Sequence, residues 1–173
     1  MNGLFQNDIR KEIKEMATRI DNIVIDGAEI YFKNFSGKRF KDGVRKFGVF
    51  VDDIADKLRA DGWNVKMTKV RDEDDIPRPY LDVKVRFDNF PPKVLMIRGT
   101  NITELDEVSV SLLDSVYITN ARVVIGPSSW TMNGKSGITA YLRTLYATIE
   151  DDDPFASDYA DFTRGNKDDD LPF

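Results

Sequence analysis

From Leu81 to Asp88, apolar and charged residues alternate without a break: Leu81, Val83, Val85 and Phe87 against Asp82, Lys84, Arg86 and Asp88. A period of two sends the two sets to opposite faces of one strand and predicts a half-buried antiparallel strand, dry on one side and wet on the other. Strand-like segments recur around it, at 23–25, 28–35, 44–51, 63–70, 94–97, 116–125 and 137–149. Asp26-Gly27 predicts a hairpin between the first two, Pro91-Pro92 stops the alternating strand, and Asn133-Gly134 marks a turn between the last two. Two helices are expected. Phe5, Ile9, Ile13, Met16 and Ile20 recur at spacings of three and four and line one face of an N-terminal helix that Asp21-Asn22 ends. Residues 52–61 read as a second, inserted helix, capped by Asp52 or Asp53 and stopped by Gly62. Several short strands with two helices predict a mainly β chain, a small barrel or sandwich rather than a βαβ sheet.

The net charge of −5 conceals an asymmetry. Residues 150–173 hold nine acidic and two basic side chains, while residues 1–149 hold 21 acidic and 23 basic ones. The body is mildly basic and the tail strongly acidic. The hydrophobic periodicity stops at Ile149, and the stretch from Asp151 onward has too few aliphatic residues to build a core, so a disordered acidic tail is expected. The organisation expected is an N-terminal helix over 1–21, a folded domain over 22–149 and the tail over 150–173. With 173 residues and neither cysteine nor histidine, the chain has no disulfide framework, no thiolate or imidazole metal ligand and no Ser-His-Asp triad. No metal or cofactor is expected. No apolar run approaches a bilayer span and no signal-peptide pattern opens the chain, so an intracellular protein without membrane contact is expected.

Three features could carry function. Lys33, Lys38, Arg39, Lys41, Arg45 and Lys46 fall within fourteen residues that contain one acid, Asp42, and Tyr31, Phe35, Phe40 and Phe47 are interleaved with them. Cations that follow phosphates and rings that stack on bases are what single-strand binding needs. If Ile30 and Phe32 face the core, Tyr31, Lys33 and Phe35 point outward together; the competing reading is a solvated loop with core aromatics. The second feature is the Asn133-Gly134 hairpin, with Trp130 and Lys135 flanking its tip; Trp130 either lines a binding groove or plugs one end of a barrel. The third is the terminus, Asp168-Asp169-Asp170-Leu171-Pro172-Phe173, an acidic run capped by an apolar aromatic. Its carboxylates suit a basic patch and its terminal Phe a small pocket, a partner-binding arrangement based on C-terminal carboxylate capture. A purely solvating tail has no use for Leu171 or Phe173. Asp72, Glu73, Asp74 and Asp75 could be read as a magnesium site, but a contiguous acidic loop is usually only solvated.

The tail looks like the C-terminal tip of bacterial and phage single-stranded DNA-binding proteins. The stretches Tyr117 to Val123, Asn133 to Leu142 and Asp158 to Phe162, together with Asp72 to Tyr80, resemble a family of bacteriophage single-stranded DNA-binding proteins with an OB-fold. The resemblance implies an OB-fold-like antiparallel barrel that coats single strands without sequence preference during phage DNA replication and recombination, in the cytoplasm of the infected host. It also implies a tail that contacts replication or recombination proteins and competes with DNA. The groove expected on this reading is lined by Tyr31, Lys33, Phe35, Lys38, Arg39, Phe40, Lys41, Arg45, Lys46, Lys84, Arg86, Trp130 and Lys135. The N-terminal helix either docks on the barrel, the preferred expectation, or pairs two copies as a homodimer. The alternatives are a protein–protein adaptor of the replication machinery without strong DNA binding and, more remotely, a metal-dependent nuclease.

Overall fold

The computed structural model describes residues 20–150; the expected N-terminal helix and the acidic tail, with its tip Asp168–Phe173, lie outside them. In chain order the described elements are β1 (Ile23–Asp26), β2 (Ile30–Asn34), β3 (Lys46–Phe50), α1 (Ala55–Asp61), β4 (Val65–Met67), β5 (Pro79–Lys84), β6 (Lys93–Arg98), β7 (Asn101–Leu105), a 3-10 helix (Ser109–Asp114), β8 (Ile118–Met132) and β9 (Lys135–Ile149).

All nine strands belong to one sheet, whose main path runs β1-β8-β9-β5-β3-β2. The two ends of that path are neighbours in the chain. Ala28, between β1 and β2, donates its N–H to Ala121 of β8 at 2.8 Å, and the next residue, Glu29, accepts from Phe50 of β3 at 3.2 Å. One segment, 23–34, therefore leaves β8 and joins β3, and the sheet closes on itself. The Asp26-Gly27 hairpin is thus corrected: β1 and β2 do not pair, and Gly27, at φ +64°, bends the chain from one neighbour to the other. Counting 23–34 as one strand, the closed order is first, second (β3), third (β5), fifth (β9), fourth (β8) and back to the first. The fold is OB-fold-like and mainly β.

The core follows the alternation. Leu81 and Val83 of β5 face Val49 and Phe47 of β3, and all four are buried; Ile125, Leu145 and Val94 continue the interior. Phe35 and Phe47 stack at 5.1 Å between ring centroids. Trp63 is 4% exposed and bridges to Ile138, so it seals the barrel beside α1.

Several other expectations shift. The helix starts at Ala55 with Ile54 rather than Asp52 or Asp53 at the N-cap, so no side chain caps it, and the Asp52 carboxylate accepts from Arg78 at 2.7 Å instead; Gly62, in the left-handed region at φ 100°, ends it as expected. Of the 63–70 strand only Val65–Met67 pairs, because β5 offers it just three partners before β9 takes over that edge. The last two strands are longer than their apolar runs and form a hairpin of fifteen residues a side; both residues of its turn, Asn133 (φ 52°) and Gly134 (φ 76°), have the positive φ of a two-residue hairpin turn. Neither β7 nor the 3-10 helix was expected, since β7 is short and exposed and carries no strong alternation.

Candidate nucleic-acid interface

On β3 and β5 the side chains opposite the core form a second, wet surface. The register pairs Lys46 with Lys84, Gly48 with Asp82 and Phe50 with Tyr80. Neighbouring strands widen each row: Lys66 of β4 stands beside Tyr80 and Tyr141 of β9 beside Lys84. Phe32 fills the middle row. Its ring lies over Gly48, where an added Cβ would meet Phe32 Cδ2 at 2.8 Å, and it reaches Tyr80 at 5.2 Å. The one acid of these rows, Asp82, is held by Lys66 at 2.6 Å, a bond that raises the Lys66 pKa above its ordinary value. Lys46 and Lys84 stand directly opposite each other and, among the described residues, neither is in an ion pair. Like charges across a strand pair are destabilising. The row that carries them therefore invites an anion.

Two loops flank this surface. Residues 35–45, between the first and second barrel strands, are fixed from below. The amide of buried Asn34 donates to Val44 at 3.0 Å and accepts from the Arg39 N–H at 3.2 Å. Asp114 of the 3-10 helix accepts the N–H groups of Phe35 and Ser36 at 2.7 and 2.9 Å. Above that base Lys38, Arg39, Phe40 and Lys41 are exposed. Phe40 sits between two cations, with Arg39 and Lys46 at 5.8 and 5.5 Å from its ring. At the other flank stands the β8–β9 hairpin, with Lys135 exposed at its turn and the Trp130 indole lying against Gly137. Trp130 is 44% exposed and does not plug the barrel. A groove of about 360 Å³ joins these parts, lined among others by Asp42, Lys46, Lys66, Lys84, Trp130 and Thr139.

Three expected site residues do not belong to the surface. Phe35 is fully buried. Lys33 is half-buried, and its ammonium donates to the carbonyls of Leu113 at 2.8 Å and of Val116; burial lowers its pKa, with Asp114 opposing. Arg45 donates to the carbonyls of Phe35 and Glu107 at 3.1 and 2.7 Å and covers the Phe87 ring. For Lys33 and Phe35 the cause is a bulge between Tyr31 and Asn34, with Phe32 at φ 54°. It breaks the alternation, so Tyr31 and Phe32 are both exposed while Asn34 and Phe35 both turn inward. Tyr31 remains outward, its ring 4.7 Å from Phe50. Arg86 is outward too; it pairs with Asp88 at 2.9 Å and lies 5.9 Å from the Tyr141 ring, and the Asp88 bond raises its pKa.

The family model described as "Putative phage ssDNA-binding domain" matches residues 13–171. The chain belongs to that family. No curated protein matches. Among solved structures, the family member is similar to the single-stranded DNA-binding protein from bacteriophage Enc34, with a TM-score of 0.51 and 13% identity over 76% of this chain and 82% of that one. The same phage protein in complex with ssDNA gives 0.48 at 14% identity over 76% and 88%. The gp2.5 single-stranded DNA binding protein of bacteriophage T7 gives 0.35 at 11% over 82% and 93%. The first of these likenesses supports the fold.

The wet face around β3 and β5 also carries residues that sequence reading passed over: Phe32, Phe50, Lys66, Tyr80 and Tyr141. Tyr80 was legible, since it shares the Asp82 and Lys84 face of the alternating strand. Lys66 comes next to Tyr80, and Tyr141 next to Lys84, only through pairing between separate segments. In the acidic loop, Asp75 accepts the N–H groups of Arg71 and Asp72 at 3.0 and 3.1 Å, bonds that lower its pKa and give that carboxylate a structural task.

Proposed function

We propose that this protein binds single-stranded DNA without sequence preference and protects it during phage replication and recombination, in the cytoplasm of the infected host. The observation that carries the reading is the Lys46–Lys84 row, half-buried and bordered by Phe40, Tyr141 and Trp130. Phosphates neutralise the facing lysines, and the rings stack on bases at roughly 1–3 kcal/mol each whatever the base. Backbone contact and stacking are blind to sequence, so no base-edge code is required.

Titration with oligo-thymidine tests this directly. Trp130 fluorescence is expected to be quenched on binding while buried Trp63 stays silent, so Trp130→Phe should remove most of the signal. Quenching that survives in Trp130→Phe, or no binding at low salt, would reject the groove. Affinity should also fall with salt, at a log–log slope of about −0.7 per neutralised phosphate.

The tail, in this reading, competes with DNA for the same cations and presents Asp168, Asp169, Asp170, Leu171, Pro172 and Phe173 to replication or recombination proteins. Removing residues 150–173 deletes nine acids and two bases. DNA affinity is expected to rise severalfold at low salt and to converge with the full chain at high salt, where screening ends the competition. Equal affinities at low salt would reject competition. Retention of a replication partner by the truncated chain would reject recruitment.

A further inference from the structure

The Lys46–Lys84 row ends at Tyr141, but the chain places a further pair of groups just beyond. β9 carries a bulge: Ile125 pairs with Leu142 and Val124 with Thr144, leaving Arg143 without a partner in the ladder. Bulges re-aim side chains. Here the Arg143 guanidinium lies back over Gly126, where an added Cβ would meet its Nε at 2.3 Å. Arg143 is exposed and, among the described residues, in no ion pair.

Across a small groove of about 170 Å³ stands Phe90, in the loop between β5 and β6; Arg86, Pro127 and Tyr141 are among the other walls. Phe90 is 76% exposed. Its backbone is held at φ 52°, in the left-handed region that a bulky residue seldom occupies. Pro91 follows, Pro92 is buried and anchors the loop, and the Arg86–Asp88 pair closes its start. A large apolar ring is thus fixed in solvent on a short, braced loop, beside an arginine that has no acid to satisfy it. Nothing in the barrel core needs either group there.

We propose that Phe90 and Arg143 form an additional nucleotide subsite, in which the Phe90 ring stacks on a base and the Arg143 guanidinium holds the adjacent phosphate. The subsite rests on the reading of the β3–β5 face as a single-strand surface and extends that track beyond Tyr141. A longer strand therefore gains affinity that a short one, confined to the central rows, does not.

The test measures affinity for oligo-thymidines graded from about 4 to about 16 nucleotides, the range of site sizes known for one such fold, with the full chain, Phe90→Ala and Arg143→Gln. The expected result is that short oligomers bind all three alike, while the longest lose about tenfold with Phe90→Ala, the value of one stacked base. With Arg143→Gln the long oligomers should show a salt slope shallower by about 0.7. Identical length dependence in all three proteins would overturn the subsite while leaving the central groove intact, and so would a loss that is uniform at every length. Failure of the unaltered protein to bind any oligomer would instead end the reading on which the subsite depends.

Discussion

Lys84→Glu is expected to lower affinity for single-stranded DNA by about a hundredfold at low salt and, at the same time, to make the folded protein slightly more stable. The two effects have one cause. Lys84 stands opposite Lys46 on neighbouring strands, with no ion pair to either among the described residues. A glutamate at that position turns a repulsive cross-strand pair into an attractive one, worth roughly 0.2–1 kcal/mol to the fold. It also occupies Lys46, so two phosphate contacts are lost with one substitution. Hydrogen bonds to charged groups are worth about 1.5–3 kcal/mol each, which makes a hundredfold loss a low estimate. The salt slope should flatten by about 1.4, two phosphates at 0.7 each. Arg98→Glu, at the exposed end of β6 and outside the rows, carries the same change in net charge and should cost only a few fold. Equal losses from the two reversals would mean that net charge, not the facing lysines, attracts DNA. Thermal denaturation checks the other half: a lower melting temperature for Lys84→Glu would contradict the repulsion argument.

Phe35→Ala should act in the opposite sense, costing stability and sparing DNA affinity. The side chain is fully buried and stacked on Phe47, so truncation leaves a cavity and removes an aromatic pair. Losses of about 3–5 kcal/mol are usual for such changes. For a domain of this size that corresponds to a fall of roughly 10–20 °C in melting temperature. Well below that temperature the folded protein should bind oligo-thymidine as before, because the ring never reaches the surface. Phe40→Ala is the matched opposite, since its ring is exposed between Arg39 and Lys46. It should leave the melting temperature nearly unchanged and weaken binding by about tenfold. If Phe35→Ala weakened binding as Phe40→Ala does, without loss of stability, the inward placement of Phe35 would be refuted.

These two phenylalanines mark where reading the chain by itself stops. Both sit in one cationic, aromatic stretch, and composition alone treats them alike. Strict alternation from Ile30 would have sent Phe35 outward with Tyr31 and Lys33. The bulge at Phe32 reverses that, and no local residue pattern announces it: a phenylalanine at positive φ is a cost that only the surrounding packing imposes. The ring of Phe32 rests over Gly48, a residue sixteen positions away, and that contact exists only once β2 and β3 are paired. Lys33 was misplaced for the same reason, and its partners are backbone carbonyls about 80 residues further along the chain. Arg45 is held by the carbonyls of Phe35 and of distant Glu107.

Local chemistry did determine a good deal. The alternation from Leu81 to Lys84 set the buried and wet faces of β5, because a side-chain period of two depends only on the strand's own geometry. Asn133-Gly134 fixed the long hairpin, because both residues tolerate positive φ, and Gly62 ended α1 for the same reason. The mainly β class and the loop of exposed cations at Lys38–Lys41 were likewise legible, whereas the choice between a groove-lining and a barrel-plugging Trp130 was left to the tertiary structure. Tertiary structure alone decided what meets what. It let Gly27 carry one strand from β8 to β3 instead of making a hairpin, so that the barrel closes. It set Lys46 against Lys84 and Tyr141 beside them, from three segments spread over nearly a hundred residues. A sequence specifies which groups a strand offers to each face; pairing across long loops decides which of those groups stand together, and a surface for a polyanion is a property of the second kind.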